Sequence, residues 1–332
     1  MLNSADTLPG HSRALVSDYF DTEVTEFGYR WWYADVVSDD GAIGLVIIGF
    51  IGSVFSPYYA SSRRRGNGDP RAHCAMNAIV YEPQRKSWAM TERSESSLEP
   101  LQHGVRIGPS QMQWQDRELV ISINERCNPL PRRWQGEIRI TPQITQPRAF
   151  ELHSNGNHWW WPAVPIAHAR VALQSPSLAF SGSAYVDTNY GHAPLERDFV
   201  GWNWTRREMH HAELASLPAS EPLLTYATRQ RDGGTRTLSL GWSDESDGLC
   251  IAPTPARQRL PHGGWRVARE TLLDGGAPQV RTLEDTPFYV RSLLQREQQR
   301  WMHESLDLDR FASRWVQCLL PFRMPRRDSQ RR

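Results

Sequence analysis

Four side chains between residues 155 and 206 are of the types needed for acid chemistry on an apolar substrate. His158 and Trp160 lie in the segment NHWWWP, and Tyr185 and Asp187 form a Tyr-x-Asp pair. A carboxylic acid can deliver a proton, and the face of an aromatic ring can stabilise a cation. We therefore interpret these four residues as part of an apolar pocket in which a proton and a carbocation are handled.

Strand periodicity brings two of these candidates onto one surface. Residues 177–187 have the composition of a β-strand, and alternation puts Tyr185 and Asp187 on the face that also carries Ser181 and Ser183. If this face points into a barrel, the two small Ser side chains leave room for a ligand beside the Tyr-Asp pair.

The same alternation groups the Trp residues. Residues 199–207 form a second predicted strand, with Trp202 and Trp204 on one face. Extended backbone before the proline of NHWWWP puts His158 and Trp160 on a common side. The three groups could thus meet around one site.

Each signal also has an ordinary structural explanation. Asp187 could be a turn residue before Thr188, and Tyr185 could be a core tyrosine with a satisfied hydroxyl. His158 could be a hydrogen-bonded structural residue, and the Trp cluster could simply fill a barrel. No serine-hydrolase elbow of the form GxSxG occurs. Metal binding has little support, because the spacings between His153, His158, His168 and His192 are not those of metal-binding motifs such as HxH or HExxH.

The elements that must position these residues are predicted to be strands throughout. Short aromatic and β-branched runs recur with turns roughly every 8–12 residues, which is typical of antiparallel barrels and sandwiches. No alternation of strands with helices and no Gly-rich phosphate loop appears. The predicted strands that bear on the site span 29–37, 43–55, 167–173, 177–187, 199–207, 223–229, 235–241, 264–269 and 279–283.

The strand rhythm divides the chain into two similar halves. We predict an all-β fold with two antiparallel barrel-like domains, at residues 20–150 and 151–326, the second carrying the candidate residues. Near the end, Asp309 is expected to cap a helix with Phe311, Trp315 and Leu319 on one face. This helix is expected to pack on the outside of a barrel.

Composition limits the classes of partner. The chain has 332 residues with 38 basic and 37 acidic side chains, so nothing indicates a nucleic-acid partner. It has 14 Trp, a residue concentrated in apolar cavities and at membrane interfaces. The N-terminal segment lacks the pattern of a signal peptide, and the apolar run at 41–55 is too short to span a bilayer as a helix.

Longer blocks of the sequence resemble a known family. The blocks are YRWWYADVVSDDG at 29–41, GFIGSVFSPYY at 49–59, HCAMNAIVY at 73–81, WAMTER at 88–93, NHWWWP at 157–162, AYVDTNYG at 184–191, GWNW at 201–204 and LLPFRMPR at 319–326. They are similar to the carotenoid 1,2-hydratases, also called hydroxyneurosporene synthases. The blocks span both halves of the chain, and their length makes the resemblance specific.

The resemblance implies a cofactor-independent hydro-lyase with a lipocalin-like, two-barrel fold. Such an enzyme adds water to the terminal C1–C2 double bond of acyclic carotenes such as neurosporene and lycopene. The resemblance places the family's H-x-W and Y-x-D residues on His158, Trp160, Tyr185 and Asp187. A hydration of this kind protonates one alkene carbon, and water captures the resulting tertiary cation.

These roles can be distributed over the candidates. Asp187 is the expected acid, and Trp160 or Trp202 is expected to face the cation, while Trp159, Trp202 and Trp204 contact the substrate. His158 is expected either to act on the attacking water as a base or to position the acid. Tyr185 is expected to hydrogen-bond the acid or the water.

A carotene is almost insoluble in water, so the enzyme is expected on the cytoplasmic face of the inner or photosynthetic membrane, without crossing it. Aromatic residues at 55–59 beside the basic residues 63–65 offer one possible contact with lipid, and an ordinary basic loop is the alternative. Two rival functions stay open: a lipocalin-like carrier of a long isoprenoid, and a cyclase with the same fold.

Overall fold

Two antiparallel β-sheets make up most of the molecule. The computed structural model describes residues 18–218, 221–243 and 248–327. The predicted all-β class with helix at the C-terminal end is confirmed. Within the described ranges, no helix is long and apolar enough to cross a membrane.

The first sheet contains twelve strands, numbered here along the chain. It curls so that β4 contacts β8. Listed side by side, its strands are β4 (Lys86–Arg93), β3 (Cys74–Tyr81), β2 (Gly44–Ile51), β1 (Tyr29–Ser38), β12 (Ser177–Gly191), β11 (His158–Ser175), β9 (Arg133–Ile144), β8 (Glu118–Arg126), β7 (Ser110–Gln115), β6 (Gly104–Ile107) and β5 (Leu98–Leu101), with β10 (Phe150–Glu151) paired on β11.

The second sheet has seven strands and is built from the C-terminal part of the chain. Its order is β16 (Gly248–Ile251), β15 (Thr235–Ser243), β14 (Leu224–Gln230), β13 (Phe199–Arg207), β21 (Gln299–Asp307), β20 (Tyr289–Arg296) and β19 (Gln279–Asp285). A separate two-stranded pair joins β17 (Arg257–Arg259) to β18 (Glu270–Leu272).

The central strands β1, β2 and β3 of the first sheet are buried on both faces, which explains their nearly continuous apolar runs. On β1, Trp32 and Val36 point into a core enclosed by the curl of the sheet. Trp31 and Tyr33, from the opposite face, join a second core that includes side chains of the other sheet. The candidate site lies in this second core, between the sheets, whereas the interior of the curled sheet is filled by aliphatic and aromatic side chains.

Strand predictions succeed where aromatic and β-branched residues are dense. The strands at 29–37 and 199–207 are confirmed, and the strand at 43–55 is confirmed as far as Ile51, since β2 ends before Gly52, where φ is +65°. The predicted strand at 264–269 is wrong, because this segment is irregular. β20 and β21 were not predicted from the sequence. β20 is buried at five successive positions, so it shows no alternation of polar and apolar residues.

The sheets do not change over at residue 150. β11 and β12 belong to the first sheet, and the second sheet begins at Phe199. The domain division at 20–150 and 151–326 stays a prediction about folding units. The four candidate catalytic residues, however, lie on strands of the first sheet.

Four helices complete the described chain, with two short 3₁₀ turns at Glu95–Ser97 and His211–Ser216. They are α1 (Pro57–Arg64), α2 (Leu195–Asp198), α3 (Leu308–Ala312) and α4 (Arg314–Arg323).

The predicted single C-terminal helix is wrong in two respects. Asp307, not Asp309, caps α3, and its carboxylate accepts the Arg310 backbone N–H at 2.9 Å. The chain leaves helical geometry at Ser313, which precedes α4. Phe311 is buried as expected, but Trp315 is 47% exposed and so does not pack against a sheet.

The aromatic segment before α1 also differs from expectation. Ser56 caps α1, which ends at Arg64, so the basic residues at 63–65 lie at the end of a helix and not in an ordinary loop. Tyr59 is fully buried and donates its hydroxyl to the Gly28 carbonyl at 2.8 Å. Phe55 packs against Phe288 and Phe311. These aromatic side chains are therefore not an exposed surface for lipid.

Candidate active site between the two sheets

An apolar cavity of about 430 Å³ lies between the sheets. Its volume falls within the ~300–1,000 Å³ that is typical of small-molecule sites. Aromatic side chains form most of its wall, with a few polar groups among them. The lining that matters for chemistry comprises Trp31, Tyr33, Asp187, Asn189, Trp202, Trp204, Tyr226, Arg291 and Glu304.

Asp187 is held in the middle of β12. It pairs with Tyr33 of β1, so the turn interpretation of Asp187 is wrong. Its Oδ2 accepts hydrogen bonds from Trp160 Nε1 at 2.9 Å and from the Tyr185 hydroxyl at 2.8 Å. Its Oδ1 is buried and has no hydrogen-bond partner in the described part of the chain. One oxygen is therefore fixed by donors, and the other faces no competing protein group.

The pKa of Asp187 is raised to about 8, chiefly because burial disfavours the carboxylate. The hydrogen bonds from Trp160 and Tyr185 act in the opposite direction, and the charges of Glu304 and Asp35 raise the pKa further. Asp187 is thus largely protonated at neutral pH. It can donate a proton that an ordinary aspartate has already lost.

Neighbouring carboxylates are paired with arginines. Arg206 forms a bidentate ion pair with Asp35, and both side chains are buried. Glu304 accepts from Arg291 Nε at 2.9 Å and from the Tyr33 hydroxyl at 3.0 Å. Asp187 takes part in no ion pair of the described chain. Burial without a cation is what separates this acid from its neighbours.

Aromatic rings enclose the acid from both sheets. Trp204 of the second sheet lies 5.2 Å from the Tyr185 ring, and Trp202 stacks on Trp31 with ring centroids 6.3 Å apart. Tyr226 contacts Trp160 edge-on at 5.1 Å. The predicted grouping of Trp160, Trp202 and Trp204 around the Tyr-Asp pair therefore exists, but it is formed by two sheets and not inside one barrel.

His158 has partners of its own. Its Nε2 lies 2.8 Å from Asp198 Oδ2, and its Nδ1 lies 3.0 Å from the Tyr29 hydroxyl. Burial lowers the pKa of His158 to about 4, so the ring is neutral at neutral pH. The tautomer that donates to Asp198 and accepts from Tyr29 satisfies both contacts. Among the described residues that line the cavity, His158 is not included.

Trp159 points to the opposite side of β11. Its Nε1 donates to the Gly156 carbonyl at 3.1 Å, and its ring stacks on Tyr190. Strand alternation explains this position, because Trp159 lies between the two inward residues His158 and Trp160. The structure does not bring Trp159 to the cavity lining of the described chain.

Sequence analysis missed several polar residues of the cavity. Asn189 lies two residues after Asp187 on the same face of β12, and its buried Nδ2 has no hydrogen-bond partner among described residues. Continuing the period-two pattern by one more step would have found it. Arg291 and Glu304 lie on β20 and β21, which were not predicted, so no pattern placed them.

The described part of the structure offers no candidate metal site. Within the residues that the structure describes, no group of three or more His, Cys, Asp or Glu side chains could hold a metal ion.

The sequence matches the family model for the carotenoid hydratase CrtC over residues 47–332. The chain belongs to the carotenoid hydratase CrtC family. The resemblance noted in the aromatic blocks is thereby confirmed.

Curated relatives of the CrtC family cover most of the chain. It is 44% identical over 325 residues to the acyclic carotenoid 1,2-hydratase of Thiocapsa roseopersicina, covering 96% of this chain and 78% of the relative. It is 38% identical over 320 residues to the enzyme of the same name from Rubrivivax gelatinosus, covering 93% and 76%.

Likeness to solved structures is weaker. A putative AttH from Nitrosomonas europaea matches with a TM-score of 0.47 and 13% identity, over 84% of this chain and 92% of that one. CghA with Sch210972 matches with a TM-score of 0.48 and 9% identity, over 85% and 88%. Neither likeness is strong enough to bear on the fold or the function.

Proposed function

We propose that this protein hydrates the terminal C1–C2 double bond of acyclic carotenes, such as neurosporene and lycopene, to tertiary 1-hydroxy carotenoids. The observation that carries the proposal is Asp187, a buried acid without a cation partner in an aromatic cavity. The names of the relatives at 44% and 38% identity support the same reaction.

The first step is proton transfer from Asp187 to C2 of the alkene. The proton leaves Oδ1, the alkene π electrons form the new C–H bond, and a tertiary cation remains at C1. Trp160 and Tyr185 donate to Oδ2 and so stabilise the carboxylate as it forms. General acid catalysis of this kind contributes about 10²–10⁴-fold.

The cation at C1 then needs a wall that stabilises it without attacking it. The indole rings of Trp202 and Trp204 line the cavity together with the acid, and the ring of Tyr185 packs behind Trp204. A cation over such a face gains roughly 0.5–2 kcal/mol. Because these rings carry no nucleophile toward the cavity, the cation survives until water reaches it.

Water completes the reaction by forming a C–O bond at C1, and its proton returns to the Asp187 carboxylate. The acid is regenerated, so no separate base or cofactor takes part. Asn189 is our candidate for holding this water, since its Nδ2 is a buried donor next to Asp187. We assign His158 as a positioning residue, because its ring is engaged by Tyr29 and Asp198.

We place the enzyme at the cytoplasmic surface of the inner or photosynthetic membrane, where its substrate is dissolved. A purified preparation should convert lycopene or neurosporene in liposomes to a 1-hydroxy product without added cofactor. In isotopically labelled water, the label should appear in the new hydroxyl group. Unchanged carotene would favour a carrier, and a cyclic hydrocarbon would favour a cyclase.

A further inference from the structure

The cavity opens to the surface beside α4, because exposed side chains of this helix are part of its lining. Val316, Leu319, Leu320 and Phe322 line the cavity from the helix, and Trp265 lines it from the loop that packs beside the helix. Of these, Val316 is buried against the second core. The helix thus forms part of the cavity wall as well as part of the outer surface.

The outer side of this helix is unusually apolar. The large apolar side chains that are exposed in the described chain are Leu130, Ile251, Trp265, Trp315, Leu319 and Phe322. The last four form one patch, which we call the mouth patch. Trp315, Leu319 and Phe322 follow one another at i, i+4 and i+7 on α4, and Trp265 stacks on Trp315 at 5.8 Å. Phe322 is 74% exposed. Apolar side chains clustered in this way mark an interaction surface.

The volume of the cavity is small compared with the length of an acyclic carotene. A volume of about 430 Å³ suits a ligand of drug size, whereas an acyclic carotene is a much longer rod. Only one end of the rod can occupy the cavity, so the remainder must lie outside it. Past the mouth, the next surface that the polyene meets is the mouth patch.

Charge around the patch fits a lipid headgroup layer. Arg314 begins α4, Arg323 ends it, and Arg327 follows. The Arg323 guanidinium lies 4.4 Å from the centre of the Trp88 ring at the cavity wall. Residues 314–327 contain four Arg and no acidic residue, whereas the whole chain carries a net charge of only +1, so this segment is locally basic. Basic residues beside exposed Trp and Phe are the combination that binds anionic bilayer surfaces.

We infer that the mouth patch docks on an anionic bilayer and that the carotene enters end first from the lipid, past α4. This inference rests on the proposed hydration, since it supplies the substrate to the same cavity. The docked surface lets the unreacted part of the polyene stay in the bilayer while its terminal alkene reaches Asp187. It replaces the contact near α1, whose aromatic side chains are packed inside.

Co-sedimentation with vesicles tests the docking directly. The variant carries Arg314→Glu and Trp315→Glu, two exposed residues of α4 outside the cavity lining. We expect the intact protein to bind phosphatidylglycerol-containing vesicles, and the variant to bind about tenfold or more weakly. Leu130→Glu with Ile251→Glu, two exposed apolar residues outside the mouth patch, is the control for added negative charge and should bind normally.

A second arm separates this inference from the proposed function. The α4 variant should lose conversion of lycopene in vesicles to the same extent as it loses binding, and it should keep its rate on farnesol, a short isoprenoid with the same terminal alkene. Vesicle binding that is unaffected in the variant, or equally strong on neutral phosphatidylcholine, would overturn the docking. Vesicle binding without any hydroxylated product would overturn the hydration instead.

Discussion

At the residue scale, three carboxyl groups that lie close to one another differ in their partners. Asp35 faces Arg206, and Glu304 faces Arg291, so each of these two groups has a guanidinium beside it. Asp187 is surrounded by aromatic rings and two neutral hydrogen-bond donors. Two neutral donors do not offset the loss of hydration, so the proton stays on the acid.

Replacing the proton donor should remove catalysis without removing the cavity. Asp187→Asn keeps the size of the side chain and an oxygen that can accept from Trp160 and Tyr185. We expect turnover of lycopene to fall by at least about 10²–10⁴-fold, the usual contribution of a general acid. Carotene binding, followed by the absorption shift of the polyene, should change little. A variant that retains turnover would show that another group delivers the proton.

The reaction should also depend on pH in a definite direction. The active form of Asp187 is protonated and its pKa is about 8, so the rate should decline as the pH rises above about 8. Trp160→Phe removes a hydrogen bond that favours the carboxylate, which should move this decline to higher pH. Trp202→Phe is the control, since Trp202 has no hydrogen bond to Asp187 among the described contacts. The measurement is kcat against pH, and an identical profile in Trp160→Phe would argue against Asp187 as the titrating group.

Stability should respond to the same group. The pKa of Asp187 is raised in the folded state, so between pH 4 and 8 the folded state holds a proton that the unfolded state has lost. The free energy of unfolding should therefore decrease as the pH is raised from 4 to 8, by at most about 1.4 kcal/mol per pH unit. Comparing Asp187→Asn with the unchanged protein isolates this slope, because His158 titrates in both. Equal slopes in urea denaturation would contradict the raised pKa.

At the element scale, β11 and β12 deliver the site through strand alternation. Tyr185, Asp187 and Asn189 share the face toward the second sheet, and Trp160 reaches them from the neighbouring strand. His158 stands one step further along the same face of β11. There it connects the end of β11 to Tyr29 of β1 and to Asp198 just before β13.

Removing the imidazole of His158 should therefore lower the stability of the fold more than it lowers the rate of the reaction. His158→Ala leaves a cavity and a Tyr29 hydroxyl without its partner, so we expect a loss of roughly 2–4 kcal/mol in the free energy of unfolding. The decline in kcat near pH 8 should keep its position, and His158→Gln should recover part of the stability. A folded His158→Ala protein as inactive as Asp187→Asn would instead give His158 a direct role on the water.

At the scale of the whole molecule, the site exists only because two sheets meet face to face. The Asp35–Arg206 pair joins β1 of the first sheet to β13 of the second, and the Tyr33–Glu304 hydrogen bond joins β1 to β21. Both contacts lie beside the acid. The polar groups that hold the sheets together thus also set the electrostatic environment of Asp187.

Removing one partner of the Asp35–Arg206 ion pair should strongly destabilise the folded protein. Asp35→Ala leaves the buried Arg206 guanidinium without a counter-charge, for which we expect a loss of about 3–5 kcal/mol in the free energy of unfolding. Asp35→Leu combined with Arg206→Met removes both charges and should recover most of that loss. Urea denaturation followed by Trp fluorescence measures both variants. If the single and double variants were equally unstable, the uncompensated charge would not be the cause.

Local sequence is enough to predict which residues share a face, because alternation in an extended strand depends only on local backbone geometry. It put Tyr185 with Asp187 and Trp202 with Trp204, and the aromatic blocks identified the family. Three features emerged only in the folded chain: the site lies between two sheets, His158 is engaged by Tyr29 and Asp198, and Asp187 is the one of three neighbouring carboxyl groups that faces no arginine in the described chain. These features arise where strands far apart in the chain meet, as β1 meets β13, and local periodicity carries no information about which strands will meet.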